Sequence, residues 1–192
     1  MITEIDFLIL NNIQHIRNGF CDAVMPVITY LGSGGAIWII TGLILLIFKK
    51  SRKTGLALLL SLILGLILST ILLKGIVGRE RPFNISGALL HETSLLIGAP
   101  SGRFSFPSGH SVSSFSAASV LFLYNKKIGI PAIILASLIA FSRLYLYVHF
   151  PSDVLAGAII GIFLAVLSII IVNNIGEKIN ERKLSDHSKQ NH

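Results

Sequence analysis

Five stretches of this 192-residue chain are too apolar to rest in water. Residues 54–73, 111–124, 128–146 and 154–172 carry a single charge among them, Arg143. A fifth stretch, 34–48, becomes long enough to span if it begins near Pro26 and bends through residues 31–35. A helix needs roughly 20 apolar residues to cross a bilayer, and in lipid every backbone polar group must be paired internally. The expected fold is all-α, a polytopic transmembrane helical bundle of about five spans preceded by an N-terminal interfacial amphipathic helix. One domain over residues 1–176 and a polar, unstructured cytoplasmic tail over 177–192 account for the length. Charge supports this most directly: 13% of residues are charged, against about 25% in soluble domains.

The basic residues then set the expected orientation. Lys49, Lys50, Arg52 and Lys53 form one cluster, Lys126 and Lys127 a second, and Lys178, Arg182, Lys183 and Lys189 a third. They fall at alternate ends of the runs and so on one side, the cytoplasm by the positive-inside rule, with the N-terminus outside. A net charge of +7 split in this way marks topology, and no nucleic-acid partner is expected. Between Thr3 and Phe20, Ile5, Ile9, Ile13, Ile16 and Phe20 recur at helical spacing. Thr3 suits the cap of that helix, and Glu4 and Asp6 suit its first turn. Asn11, Asn12, Gln14, His15 and Arg17 would be costly in hydrocarbon, so this helix is read as lying on the outer leaflet. Cys21 alone allows neither an intrachain disulfide nor a cysteine zinc site. The acidic start argues against a cleavable signal.

Three polar constellations punctuate the runs, all on the non-cytoplasmic side. The first is Lys74 with Arg81 and Pro82, the second Phe106-Pro107-Ser108-Gly109-His110, and the third Ser142 and Arg143 with His149 and Asp153. Singly each has an ordinary reading: snorkelling anchors, a turn with a helix cap, a polar pair at a span boundary. Together they supply complementary parts for phosphoryl transfer. Arg81 and Arg143 offer planar forks for anionic oxygens, and Lys74 adds a point charge. Ser108-Gly109-His110 opens a helix whose N–H groups and dipole face an anion. His149 and Asp153, at i and i+4, share a helical face, so the carboxylate can bond one imidazole nitrogen and leave the other to attack phosphorus. His110 is available to protonate the leaving oxygen and then to activate water. No acidic cluster of magnesium-binding character accompanies them, so the cations take the electrostatic task and neither metal nor cofactor is expected.

The order Lys-x6-Arg-Pro, Pro-Ser-Gly-His, Ser-Arg-x5-His-x3-Asp resembles the type 2 phosphatidic acid phosphatase superfamily, which includes vanadium haloperoxidases and glucose-6-phosphatase. All three motifs are complete between Lys74 and Asp153. The resemblance implies a six-helix-type core, a site near the outer leaflet, metal-independent hydrolysis and a phosphohistidine intermediate. The short N-terminus is similar to that of bacterial undecaprenyl diphosphatases in the superfamily. The expected substrate is therefore a lipid phosphate or diphosphate in the cell membrane, undecaprenyl diphosphate first, then phosphatidylglycerol phosphate or phosphatidic acid. The loop over residues 83–105, with Asn84, His91, Glu92 and Arg103, is either a head-group selector or a plain connector. Within it, Arg103 is the expected contact for a second phosphate. A membrane scaffold or lipid transporter is the non-enzymatic alternative, against which two histidines and three cations would be an expensive polar cluster.

Overall fold

The structure, a computed structural model, describes residues 2–86, 88–90, 95–100 and 102–190. Helix α1 (Ile2–Gln14) ends before Asn18, whose side chain caps α2 (Gly19–Leu31) by accepting from the Cys21 N–H at 3.0 Å. A glycine turn with Gly34 at φ 60° and Gly35 at φ 71° leads into α3 (Ala36–Ile47). Those left-handed angles are open to glycine and strained for other residues, and they bend the α2–α3 pair by 41°. The expected bend through residues 31–35 is present, although the helix before it starts at Gly19. Next come α4 (Arg52–Gly65), a π-helical stretch (Leu66–Leu73) and α5 (Lys74–Val77), one continuous rod. Then follow α6 (Gly109–Tyr124), α7 (Lys126–Tyr145) and α8 (Pro151–Gln190).

Arg52–Val77, Lys126–Tyr145 and Pro151–Lys178 are each long and apolar enough to cross a membrane, and the bent α2–α3 pair makes a fourth candidate. The expected fifth span, α6, has 16 residues. At 1.5 Å per residue that is about 24 Å, short of a hydrocarbon core of roughly 30 Å. The helix starts at the polar site itself, with Ser108 as its N-cap. The last helix also continues to Gln190, so the tail expected to lack structure is helical.

The chain is a multi-pass helical membrane protein, and its packing follows from that solvent. Ile40, Leu43 and Ile47 on α3, Ile63 on α4, Ile134 on α7, and Ile159 and Phe163 on α8 are exposed. Such a belt is far larger than the apolar patches of soluble monomers. Inside the bundle the contacts are made by small residues, as expected where lipid offers no hydrophobic drive to associate. Ala57, Ala117, Ala118, Ala136, Ala140 and Ala165 are buried. α6 is the central helix, packed chiefly on α7 and α8, and Trp38 Nε1 ties α3 to it by donating to Ser114 Oγ at 3.0 Å. Gly157 and Gly161 let α8 lie directly on the α6 backbone: a Cβ at Gly157 would stand 2.8 Å from the Ser108 carbonyl oxygen, and one at Gly161 2.7 Å from that of Val112.

This contact sets the height of the α6 N-terminus, so Gly157→Val should both destabilise the bundle and displace Ser108. Overpacking of this kind costs about 1–3 kcal/mol, measurable as a lowered Tm in detergent. An unchanged Tm would mean that the backbones are not in contact there.

Candidate active site

All three motifs meet at one end of the bundle. Arg81 (3% exposed), Arg143 (4%), His149 (2%) and Asp153 (0%) are buried together. Lys74 Nζ and an Arg81 terminal nitrogen converge beside Gly102, 3.8 and 3.7 Å from where its Cβ would be. The π-helical stretch brings Lys74 to this position at the end of its rod. The basic clusters lie at the opposite end, where Lys53 Nζ approaches Gly176, 3.8 Å from where its Cβ would be.

The partners of the two central arginines define the site's electrostatics. Arg81 donates to the Gly102 carbonyl at 2.7 Å and the Val148 carbonyl at 2.9 Å, and stands 3.4 Å from His149 Nε2. Arg143 donates to the Thr29 hydroxyl, and its Nε has no partner. Among the described residues neither arginine has a carboxylate at ion-pair distance. Burial lowers the Arg81 guanidinium to about 10, which leaves it charged at neutral pH. Buried positive charge held only by neutral oxygens is costly unless an anion joins it.

The second motif supplies backbone donors. Ser108 Oγ caps α6 by accepting from the Ser111 N–H at 3.4 Å, and its own N–H is held by the Asp153 carbonyl at 3.1 Å. The capping role leaves the hydroxyl proton free to donate. At Gly109 a Cβ would meet nothing within 4 Å, so the first amide of the helix borders open space. His110 Nε2 is buried without a hydrogen-bond partner, while its ring also meets the Thr29 backbone.

His149 is carried on the short connection between α7 and α8. Tyr147 there adopts φ 60°, a left-handed angle that costs a non-glycine residue of order 1–3 kcal/mol. Burial pushes the His149 imidazole well below the usual histidine range, and the charges of Arg81, Arg143 and Lys74 push it further. The ring is therefore neutral and able to act as a nucleophile. Its Nδ1 stands 3.7 Å from Asp153 Oδ2, too far for the expected hydrogen bond, and has no other hydrogen-bond partner among the described residues. Asp153 is otherwise engaged: Oδ2 accepts the Phe150 N–H at 2.9 Å, and Oδ1 accepts from Arg79 at 2.8 Å. Catalytic contacts of this sort commonly tighten when substrate binds.

Arg79 was not among the residues singled out in the sequence, although it sits two positions before Arg81. Nor was its other partner, Asp6, at 2.6 Å. Arg103 moves the other way. Its side chain is 76% exposed and lies 3.9 Å from Glu80, so the structure does not bring it to the buried cations. Asn84 is exposed, and His91 and Glu92 lie outside the described residues.

Beside His110, an apolar cavity of about 460 Å³ runs between the α2–α3 turn, α4 with its π-helical stretch, and the start of α6. Gly35, Leu62, Leu66, Thr70 and Gly109 line it. A neutral imidazole, a second histidine, three cations and a helix N-terminus are gathered near an apolar cavity, an arrangement with the chemistry to receive an anion carried on a hydrophobic molecule. The match to known proteins agrees with that reading: residues 54–177 match the PAP2 superfamily. The chain belongs to the PAP2 superfamily. Undecaprenyl-diphosphatase of Sulfolobus acidocaldarius is 37% identical over 134 residues, which are 69% of this PAP2 chain and 62% of that relative, less than two thirds of its length. The crystal structure of Aquifex aeolicus LpxE superposes with a TM-score of 0.70 at 32% identity, covering 84% of this chain and 92% of that one. That of the Bacillus subtilis PAP2-type phosphatidylglycerolphosphate phosphatase gives 0.67 at 31% identity, covering 92% of this chain and 87% of that one.

Phosphate and vanadate binding to the purified PAP2 chain should follow this geometry. Arg81→Ala and Arg143→Ala each remove a charged donor worth about 1.5–3 kcal/mol, or roughly 10- to 150-fold in Kd. Arg103→Ala should bind as the wild type does. Calorimetric titration checks both, and a loss at Arg103 equal to that at Arg81 would return Arg103 to the anion site.

Proposed function

We propose that this chain is a metal-independent lipid phosphate phosphatase working through a phosphohistidine at His149, with undecaprenyl diphosphate as its substrate. The observation that carries the reading is the junction of a buried cation cluster with an apolar cavity at His110. A lipid phosphate has this same division of chemistry, an anionic head on an apolar tail. The tail remains in the lipid, with only the part next to the head in the cavity, and the head reaches Lys74, Arg81, Arg143 and the amides of Gly109 and His110. A volume of about 460 Å³ lies within the usual range of ligand cavities.

His149 Nε2 attacks the terminal phosphorus, and the bond from phosphorus to the bridging oxygen breaks as the new P–N bond forms. Asp153 supports the positive charge that develops on the ring. His110, protonated at Nε2 as the anionic head group binds, gives that proton to the departing oxygen and then takes one from water, which attacks phosphorus, releases inorganic phosphate and restores His149. Arg81, Arg143 and Lys74 stabilise the charge on the equatorial oxygens. A diphosphate leaves as a lipid monophosphate, a good leaving group that asks little of His110. The basic clusters at the far end of the bundle favour an extracytoplasmic site, the face on which such a lipid would be met.

The test is kcat/KM of the purified chain for undecaprenyl diphosphate, phosphatidylglycerol phosphate and phosphatidic acid, each with EDTA and with vanadate. The diphosphate should be preferred, EDTA should leave the rate intact, and vanadate should inhibit. Loss of activity in EDTA that magnesium restores would refute the mechanism. Preference for phosphatidylglycerol phosphate would move the assignment to a phospholipid phosphatase.

A further inference from the structure

Helix α1 turns a different face to the protein from the one its isoleucines mark. Ile5, Ile9 and Ile16 are exposed, whereas Leu10 is fully buried and Asp6 is 3% exposed. The inward residues all reach the segment that carries His149. Asn11 Oδ1 accepts from the Tyr147 hydroxyl at 2.8 Å, two residues before the nucleophile. Phe7 meets Phe150 edge to face at 5.1 Å. Asp6 Oδ1 accepts the Ser152 N–H at 2.9 Å, and its Oδ2 accepts from the Ser152 hydroxyl at 2.6 Å, three residues after the nucleophile. Ser152 is in the first turn of α8, where amides lack partners within the helix, so Asp6 caps α8 from another helix.

Asp6 also settles a charge balance. One guanidinium, Arg79, lies between two buried carboxylates, 2.6 Å from Asp6 and 2.8 Å from Asp153. It stacks 4.0 Å above the Phe150 ring, which fixes its plane. With Asp6 present, Arg79 is neutralised from the far side, and the charge of Asp153 stays available to His149. Without Asp6, Arg79 would draw on Asp153 alone.

We propose that α1 is a positioning element for the nucleophile: Asp6, through Ser152 and Arg79, and Asn11, through Tyr147, hold the His149 segment from both sides. The inference rests on His149 being the nucleophile, as proposed above. It explains how Tyr147 is kept at a left-handed angle, with its hydroxyl tied to Asn11 and accepting the Leu89 N–H at 3.2 Å.

The experiment compares the full chain carrying Asp6→Asn or Asn11→Ala with Leu8→Ala, a residue 64% exposed on the opposite face. Two readouts are taken: steady-state kinetics on undecaprenyl diphosphate, and hydrogen exchange of residues 145–153. Asp6→Asn should lower kcat on the order of 10- to 100-fold, as displacement of a reacting group by about 1 Å does, with KM and vanadate inhibition little changed. Asn11→Ala, which removes no charge, should give a smaller loss of the same kind. Exchange over 145–153 should rise in both and stay as in the wild type in Leu8→Ala. Equal collapse of kcat, vanadate inhibition and Tm in both variants would make α1 only a structural part, and an unchanged kcat with unchanged exchange would remove it from the site altogether. Raised exchange in both variants, with a wild-type protein that turns over no lipid phosphate, would leave the anchoring of the segment standing and overturn the nucleophilic role with the phosphatase reading.

Discussion

Arg81 and Arg143 are held inside the bundle by carbonyl and hydroxyl oxygens, and much of the rest of the molecule follows from that one condition. Neutral acceptors hold a guanidinium in place without cancelling its charge. The pocket therefore keeps a positive field in a place where water cannot screen it, and an anion completes it. Every element that ends near this field contributes something compatible with it: a helix N-terminus at Gly109, the neutral imidazole of His149, and Lys74 at the end of its rod. The carboxylates, Asp153 and Asp6, are gathered around Arg79, with no ion pair to Arg81 or Arg143 among the described residues.

Such a field can be sustained only if the helix ends stay close, and the means are modest in chemistry. Gly157 and Gly161 bring α8 onto the α6 backbone, and the glycine turn at Gly34 and Gly35 lets the bent α2–α3 pair cross beside His110. The π-helical stretch widens the rod of α4 where the apolar cavity passes. Each of these departs from regular helix geometry or ordinary side-chain bulk at the site and nowhere near the basic end. Closely spaced helices with a cavity between them are what the proposed presentation of an anion by a hydrophobic molecule requires.

The sequence made the bundle and its three motifs legible for simple reasons. Apolar runs of near-spanning length have few alternatives in water, and the motif residues are polar at positions where lipid-embedded chains avoid polarity. The bend at residues 31–35 was readable because adjacent glycines interrupt a run too short to span alone. The start of α6 at the site was legible too, because Ser108-Gly109-His110 opens a helix and the apolar run after it, 111–124, is short. Two things were not readable. Arg103 looked like a head-group contact by its place in a loop near Arg81, yet its backbone neighbour Gly102 faces Arg81 while its side chain turns to Glu80. Asp6 looked like an ordinary first-turn acid, since its partners Ser152 and Arg79 are more than 70 positions away and contacts at that separation leave no trace in a single sequence. Arg79 carries only a weak signal, as a third cation inside the first motif.

The central claim is that the field of Arg81, Arg143 and Lys74 presents a phosphoryl group to a neutral His149. Rapid quenching of the purified protein during turnover of a terminally radiolabelled lipid diphosphate tests it most directly, followed by alkaline digestion and identification of the labelled peptide. The account predicts an acid-labile, alkali-stable phosphate on the peptide that carries His149, absent in His149→Ala. Label on another residue, or full turnover by His149→Ala, would contradict it.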